Sequence, residues 1–157
     1  MILYGGIDSK SVTERMSDPS GAMGAIQRIM ANDVACRNVV LDFSRKPKDR
    51  LLFPNIEPDV VPSDKLGSDA QIRQAIVHLH QHLLGQKHTA DHPEIERTYQ
   101  LFAGILSEAR TTKGLDKRES YHCGRIEGRR LEDPNYTLRA WRGVVTYLLR
   151  QHDFLYE

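Results

Sequence analysis

Apolar residues recur every three or four positions along three stretches of this chain, and that spacing constrains the fold more than any other feature. Side chains at such intervals share one face of an α-helix, so each stretch predicts an amphipathic helix that turns this face to the core. The three stripes are Ile72, Ile76, Leu79, Leu83; Ile95, Tyr99, Phe102, Leu106; and Leu138, Trp141, Val145, Leu148, His152. Since no alternating strand pattern or repeat accompanies them, the sequence predicts an all-α protein.

Residues at the ends of the stripes predict where these helices begin and end. Ser68 and the glutamine three residues later have the spacing of a capping box, and Gly85 is placed to end that helix. Asp91 is expected to cap the next helix, with Pro93 in its first turn, where a missing N–H costs nothing. The connecting loop has fewer than ten residues, so we expect the pair to pack as an antiparallel hairpin. Asp133 and the proline after it are expected to start the last helix.

An earlier helix is predicted from about Ser20 to Asp42, where Ser20 can cap the first N–H groups. Its apolar face is expected to comprise Ile26, Ile29, Met30, Cys36 and Val40. Asp33 and Arg37 interrupt this face near its centre and have the acid-then-base order that favours an i,i+4 ion pair. We therefore expect a buried structural ion pair; the alternative is a polar cluster that receives another charged group or a substrate.

Prolines interrupt the helical pattern between residues 47 and 62, which contain four of the seven prolines in the chain. Because proline fixes φ and lacks an N–H, this stretch is neither a long helix nor a central strand. We expect a short turn near Pro47–Arg50, then an irregular arm that is either a linker or a strap over the core. The apolar residues of the arm favour the strap: Leu51, Leu52, Phe53, Val60 and Val61.

Length and pattern together predict one helical domain over residues 1–157. Its parts are an N-terminal segment with the first helix (1–43), the proline-rich arm (44–67) and a three-helix part (68–157). The expected architecture is a small helical bundle or orthogonal array of about four main helices with a proline-rich strap.

Charge is nearly balanced overall but uneven along the chain. The 22 Lys and Arg against 21 Asp and Glu argue against a uniformly basic nucleic-acid binder. Residues 110–150 hold ten basic and five acidic residues, and this part also contains Tyr121 and Tyr136. A basic loop with aromatics can bind nucleic acid, but no recognised nucleic-acid-binding motif accompanies it. We predict that this basic part pairs with the acidic remainder or with a partner protein.

No apolar run is long enough to predict a membrane span.

The densest group of candidate metal ligands is His78, His80 and His82. His78 and His82 are four residues apart, a spacing at which two imidazoles on one side of a helix can hold zinc or copper. His80 lies on the opposite flank of the stripe and is the weaker candidate. The pattern supplies no third or fourth ligand, and the zinc-protease motif H-E-x-x-H is absent. A solvated helix face with ordinary histidines is the competing interpretation.

The two cysteines, Cys36 and Cys123, allow one disulfide or two free thiols, and their spacing favours neither alternative. The absence of C-x-x-C and C-x-x-C-H excludes a thioredoxin-like site and covalent c-type haem attachment within this chain. Residues 1–6 lack the charged and apolar regions of a secretion signal. The sequence therefore predicts either a cytosolic protein or a piece of a longer, processed precursor.

Four segments carry a resemblance to known proteins: LYGGIDS at 3–9, MANDVACR at 30–37, LFPNIEP at 52–58, and DPNYTLRAW at 133–141 with the stretch onward through FLYE at 154–157. They resemble the C-terminal region of large secreted proteins of myxobacteria and planctomycetes, which are often associated with c-type cytochrome modules and have no assigned activity. The resemblance implies a periplasmic or cell-surface setting, which favours a Cys36–Cys123 disulfide. It also implies a fragment or stand-alone version of that region, and it transfers no catalytic residue.

Three functions follow as hypotheses. The first is a non-catalytic helical interaction module, a subunit or terminal domain of a larger extracytoplasmic, cytochrome-associated assembly, which would have a protein partner. The second is a metal- or haem-associated accessory domain that uses His78 and His82, with His80 as a further ligand. The third is an enzyme whose site is assembled from distant helices and so leaves no local motif. No motif predicts a reaction, and no cofactor is predicted beyond zinc or copper at the histidines.

Overall fold

Four α-helices form the fold in the computed structural model, which describes residues 21–63, 67–112, 120–121 and 131–151. The helices are α1 (Gly21–Phe43), α2 (Ser68–Leu84), α3 (Pro93–Thr111) and α4 (Thr137–Leu149). A 3-10 turn at Pro47–Asp49 stands where the sequence predicts a short turn. Two short strands, β1 (Ser120–Tyr121) and β2 (Leu131–Glu132), pair antiparallel within a segment that the sequence leaves unpatterned. The all-α prediction is confirmed, and no described helix is both long and apolar enough to cross a bilayer.

Helix α4 lies at the centre, since it packs against each of the other three helices. Its Trp141 is fully buried, with the Phe102 ring of α3 at 4.4 Å and the Phe53 ring of the arm at 5.2 Å between centroids. Phe53 also stacks on Phe43 of α1 at 4.2 Å. A continuous chain of aromatic rings therefore joins α1, the proline-rich arm, α4 and α3.

Residues 44–63 lie over this core as a strap, as the sequence predicts, and Leu52, Phe53 and Ile56 are buried. The carboxylate of Asp42, in the last turn of α1, accepts hydrogen bonds from three successive backbone N–H groups of the strap. The distances are 2.8 Å to Leu51, 3.1 Å to Leu52 and 2.9 Å to Phe53. Asp42 is itself buried, so this carboxylate supplies acceptors where water cannot reach.

Arg50 completes the attachment of the strap from its own side. Its buried guanidinium donates to the carbonyl oxygens of Arg45, Ile56 and Phe43 at 3.0, 3.1 and 3.3 Å, and pairs with Glu57 at the surface. Because proline-rich backbone cannot satisfy its own polar groups as a helix does, these side-chain bonds substitute for secondary structure.

The first helix is placed as predicted to within one residue at each end, but the predicted buried face is correct only in part. Val40 is buried and Cys36 packs against the core, whereas Ile29 and Met30 are exposed. The buried face also includes Ala31, Ala35, Val39, Asp42 and Phe43. Small side chains let two helices approach closely, and α1 packs against α4. The pattern weights large apolar residues, so it misses the contribution of the two alanines.

The ends of α2 and α3 follow the predicted signals in part. Gly85 ends α2 with φ +68, the left-handed conformation that glycine adopts without strain. The capping box is wrong, because no side chain caps α2 and Gln71 instead donates to the Asn55 carbonyl oxygen at 3.0 Å. Pro93 stands at the first position of α3, as predicted. The residue that caps this helix is His92 and not Asp91, since His92 Nδ1 accepts from the Glu94 N–H at 3.1 Å.

Helices α2 and α3 contact each other at several points along their length. Arg73 of α2 pairs with Glu96, and its guanidinium lies 3.9 Å from the centre of the Tyr99 ring. One turn earlier on α2, Asp69 accepts from the Tyr99 hydroxyl at 2.7 Å, and near the end of α2 His80 bonds Thr98 at 3.0 Å. The antiparallel hairpin itself stays a prediction.

Helix α4 begins at Thr137, four residues beyond the predicted start, but Asp133 still caps it. Its buried carboxylate accepts from the N–H groups of Leu138 at 2.9 Å and Arg139 at 3.2 Å. The four core positions of the predicted stripe are buried, and His152 lies outside the described residues.

Replacing Asp42 with alanine should lower the free energy of unfolding by about 3 kcal/mol or more, because two buried N–H groups and one partly buried N–H group lose a charged acceptor. Urea unfolding measures the change. Asp49→Ala, at an exposed carboxylate of the 3-10 turn, is the control and should stay within about 0.5 kcal/mol of the parent. Equal effects of the two substitutions would contradict the role of Asp42.

Candidate functional site

The structure brings two of the three predicted metal ligands together and separates the third. The rings of His78 and His82 stack with centroids 5.7 Å apart at the surface. His78 Nε2 donates to the Leu51 carbonyl oxygen at 2.7 Å, whereas His80 points into the core. Within the described ranges, no group of three or more His, Cys, Asp or Glu side chains is arranged to hold a metal. A zinc or copper site at His78 and His82 therefore stays a prediction with two ligands.

A second histidine cluster, which sequence reasoning missed, forms around buried His80. The His88 ring meets His80 edge-on with centroids 5.6 Å apart, and the His92 ring stacks on His88 at 3.9 Å. The sequence signal that could have predicted this cluster is the short loop, because a connection between Gly85 and Pro93 must keep its histidines near the end of α2. This proximity does not follow from any regular spacing of residues.

Burial lowers the pKa of His80 below its ordinary value and is the largest influence on it. The neighbouring Gln86 side chain and the negative charge of Glu94 act in the opposite direction, while His88 and His92 add to the lowering. A neutral His80 fits its surroundings, since Nε2 lies 3.0 Å from the Thr98 hydroxyl and that hydroxyl donates to the Glu94 carbonyl oxygen at 2.9 Å.

The lowered pKa predicts that acid destabilises the fold through His80. The imidazole of His80 takes up a proton more readily in the unfolded chain than in the folded one. The free energy of unfolding is therefore highest above the unfolded pKa of about 6.5 and falls as the pH drops below it. His80→Gln does not titrate, so its melting temperature should fall less than the parent's between about pH 7.5 and pH 5.5. Thermal denaturation followed by circular dichroism measures this. Gln81→Ala, at an exposed position of α2, should keep the parent's dependence, and identical profiles for the parent and His80→Gln would contradict the assignment.

The predicted Asp33–Arg37 ion pair forms, with 3.1 Å between Oδ2 and a guanidinium nitrogen, but it is not buried. Both side chains are 57% exposed, because the buried face of α1 differs from the predicted one. The pair is therefore a solvated i,i+4 contact and not a charged cluster in the core.

Arg37→Ala should consequently change little. An exposed helical pair contributes about 0.3–0.5 kcal/mol, which corresponds to a melting-temperature drop of roughly 1–2 °C. Arg50→Ala removes a buried guanidinium with three carbonyl partners and should lower the melting temperature several times more. A large drop for Arg37→Ala in the same calorimetric series would show that its exposure is wrong.

The predicted disulfide stays a prediction. Cys36 is half-buried on α1 and packs against the hydrophobic core. Cys123 lies outside the described residues. The alternatives of one bridge or two thiols therefore remain as the sequence leaves them.

Four large apolar side chains of the described residues are exposed: Ile29, Met30 and Val34 on α1, and Leu51 on the strap. Met30 and Val34 are one helical turn apart, and Val34 and Leu51 line the same surface cavity of about 270 Å³. We call Met30, Val34 and Leu51 the α1 apolar patch. Ile29 lies about 140° around the helix from Val34 and lines a different cavity, so it is not part of the patch. Contiguous exposed apolar surface of this kind is typical of a binding face, unlike single scattered residues.

A cleft of about 600 Å³ lies where α3 and α4 meet, and we call it the basic cleft. Leu101 and Ile105 of α3 contribute an apolar wall. Three arginines line the opposite side, Arg139, Arg142 and Arg150, and no carboxylate belongs to the described lining residues. The cleft lies within the part of the chain that the sequence marks as basic, although the sequence does not predict a cavity there.

Arg139 is held rigidly at the edge of this cleft. Its Nε donates to Asp133 Oδ2 at 2.9 Å and its Nη2 to the Asp133 carbonyl oxygen at 3.2 Å. Its guanidinium also lies 4.1 Å from the centre of the Tyr136 ring. Tyr136 has φ +64, and it is the single non-glycine residue with positive φ in the described part of the chain. Such a conformation is uncommon for an aromatic residue and often accompanies a functional constraint.

Comparison with known proteins adds no relative: no family model, no curated protein and no solved structure matches this chain.

Proposed function

We propose that this chain is a non-catalytic helical interaction module, a subunit or terminal domain of a larger assembly, and that the α1 apolar patch binds a partner protein. The observation that carries the proposal is the exposure of Met30, Val34 and Leu51, of which Val34 and Leu51 line one surface cavity. Burying such side chains against a partner removes apolar surface from water, which is the main driving force of most protein associations.

The construction of α1 supports this role. In the middle of the helix Ala31 and Ala35 face the core, and the larger Met30 and Val34 are left outside. Core packing alone gives no reason for methionine and valine at those positions, whereas a partner surface does. The exposed Asp33–Arg37 pair lies beside them and provides polar groups at the edge of the contact, as is usual at the rim of an interface.

The setting of the assembly belongs to the proposal as well. The resemblance to secreted proteins associated with c-type cytochrome modules supports a periplasmic or cell-surface location and a Cys36–Cys123 disulfide. Because this sequence has no haem-attachment motif, any electron-transfer role would belong to the partner.

The experiment is affinity purification of the tagged chain from its native source, with the partner quantified by mass spectrometry. Val34→Glu introduces a charge into the patch and should reduce recovery of the parent's partner by about tenfold or more. Gln74→Glu introduces the same charge at an exposed position of α2 outside the patch and should leave recovery unchanged. Both variants should keep the parent's melting temperature, since both positions are exposed.

Equal partner recovery with Val34→Glu and Gln74→Glu would contradict the assignment of the patch. A parent chain that remains monomeric in sedimentation and retains no protein would contradict the interaction module itself.

A further inference from the structure

The basic cleft has the size of a small-molecule site. Pockets that enclose small ligands have volumes of roughly 300–1,000 Å³, and this cleft has about 600 Å³. It is formed mainly by α3 and α4, with Asn32 of α1 at one side, and none of its described lining residues belongs to the α1 apolar patch. Its function is therefore separate from the partner contact proposed above.

The spacing of the arginines along the chain places them in a row, which we call the cationic wall of the cleft. Arg142, Thr146 and Arg150 follow one another at intervals of four residues, so they form a row along one side of α4, with a hydroxyl between two guanidiniums. Arg139 begins the wall one turn earlier, fixed by Asp133 and by the ring of Tyr136. Planar guanidinium groups match the oxygens of phosphate and carboxylate better than any other side chain.

The remaining surface of the cleft is apolar and aromatic. Leu101 and Ile105 line it from α3, and the half-buried rings of Tyr136 and Tyr147 line it from the side of α4. A ligand that contacts both walls needs an apolar or planar body together with an anionic group. An inorganic anion can bind the arginines but has no apolar part to pack on the opposite wall. A neutral aromatic molecule can pack on the apolar wall but has no charge to pair with the arginines.

We propose that the basic cleft binds a small organic anion, a molecule with an aromatic or apolar body and a phosphate or carboxylate group. The body lies against Leu101, Ile105 and the tyrosine rings, and the oxyanion lies against the arginine row. The left-handed backbone of Tyr136 contributes to this site by presenting its ring beside Arg139. No bond is made or broken, so the ligand is bound and not transformed.

Titration calorimetry of the full chain tests the site with four probes: phenyl phosphate, benzoate, inorganic phosphate and phenol. At least one of the first two should bind about tenfold more tightly than both inorganic phosphate and phenol, because only those two contact both walls. Whether phenyl phosphate or benzoate is the tighter tells which oxyanion the site prefers. Added salt should weaken binding, since the cleft is open to solvent.

Two variants locate the binding. Arg150→Gln, at an exposed position, should weaken the tighter probe by about tenfold without changing the melting temperature. Arg97→Gln removes an exposed arginine of α3 outside the cleft and should leave affinity within about twofold of the parent.

The proposal is overturned if neither phenyl phosphate nor benzoate binds at millimolar concentration. It is also overturned if Arg97→Gln weakens binding as much as Arg150→Gln, which would show attraction by overall charge. Both outcomes are independent of the partner experiment, which uses different residues and a different measurement.

Discussion

The carboxylate of Asp42 is the interaction on which the rest of the structure depends. It lies in the last turn of α1 and accepts from three successive N–H groups of the strap, of which those of Leu52 and Phe53 are buried and that of Leu51 is partly buried. A proline-rich segment has few means of satisfying its own backbone, so without this acceptor its N–H groups could not be buried without a large loss of stability. Asp42 thereby places Phe53, whose ring lies between Phe43 and Trp141 and links the first helix to the centre of the core.

Both proposed binding surfaces follow from how that core is arranged. Helix α4 packs against every other helix, and α1 approaches it with a face of small residues around Ala31 and Ala35. Met30 and Val34 of α1 are consequently left on the outside. On the other side of α4, its junction with α3 leaves a cleft, and the arginines of α4 that do not reach the core line it.

Sequence reasoning predicts what depends on large side chains at a regular period. The stripes containing Ile72, Phe102 and Trp141 are correct because removing such large apolar side chains from water is strongly favourable. The face of α1 is correct only in part, at Val40 and Cys36, because alanine carries little hydrophobic signal although it permits close packing. Asp42 is missed because it bonds backbone nine to eleven residues away, so its role exists only once the strap has folded back over the core. The clustering of His88 with His80 likewise depends on the path of a loop and not on any periodicity.

Native-state hydrogen exchange at the amides of Leu51, Leu52 and Phe53 tests the central claim most directly. These residues belong to no helix or strand, so only the Asp42 carboxylate explains protection there. The account predicts that the three amides exchange together, with an opening free energy close to that of global unfolding. Exchange as fast as that of an unprotected loop amide, with the helices still protected, would show that the strap is not held by Asp42 and would contradict the account.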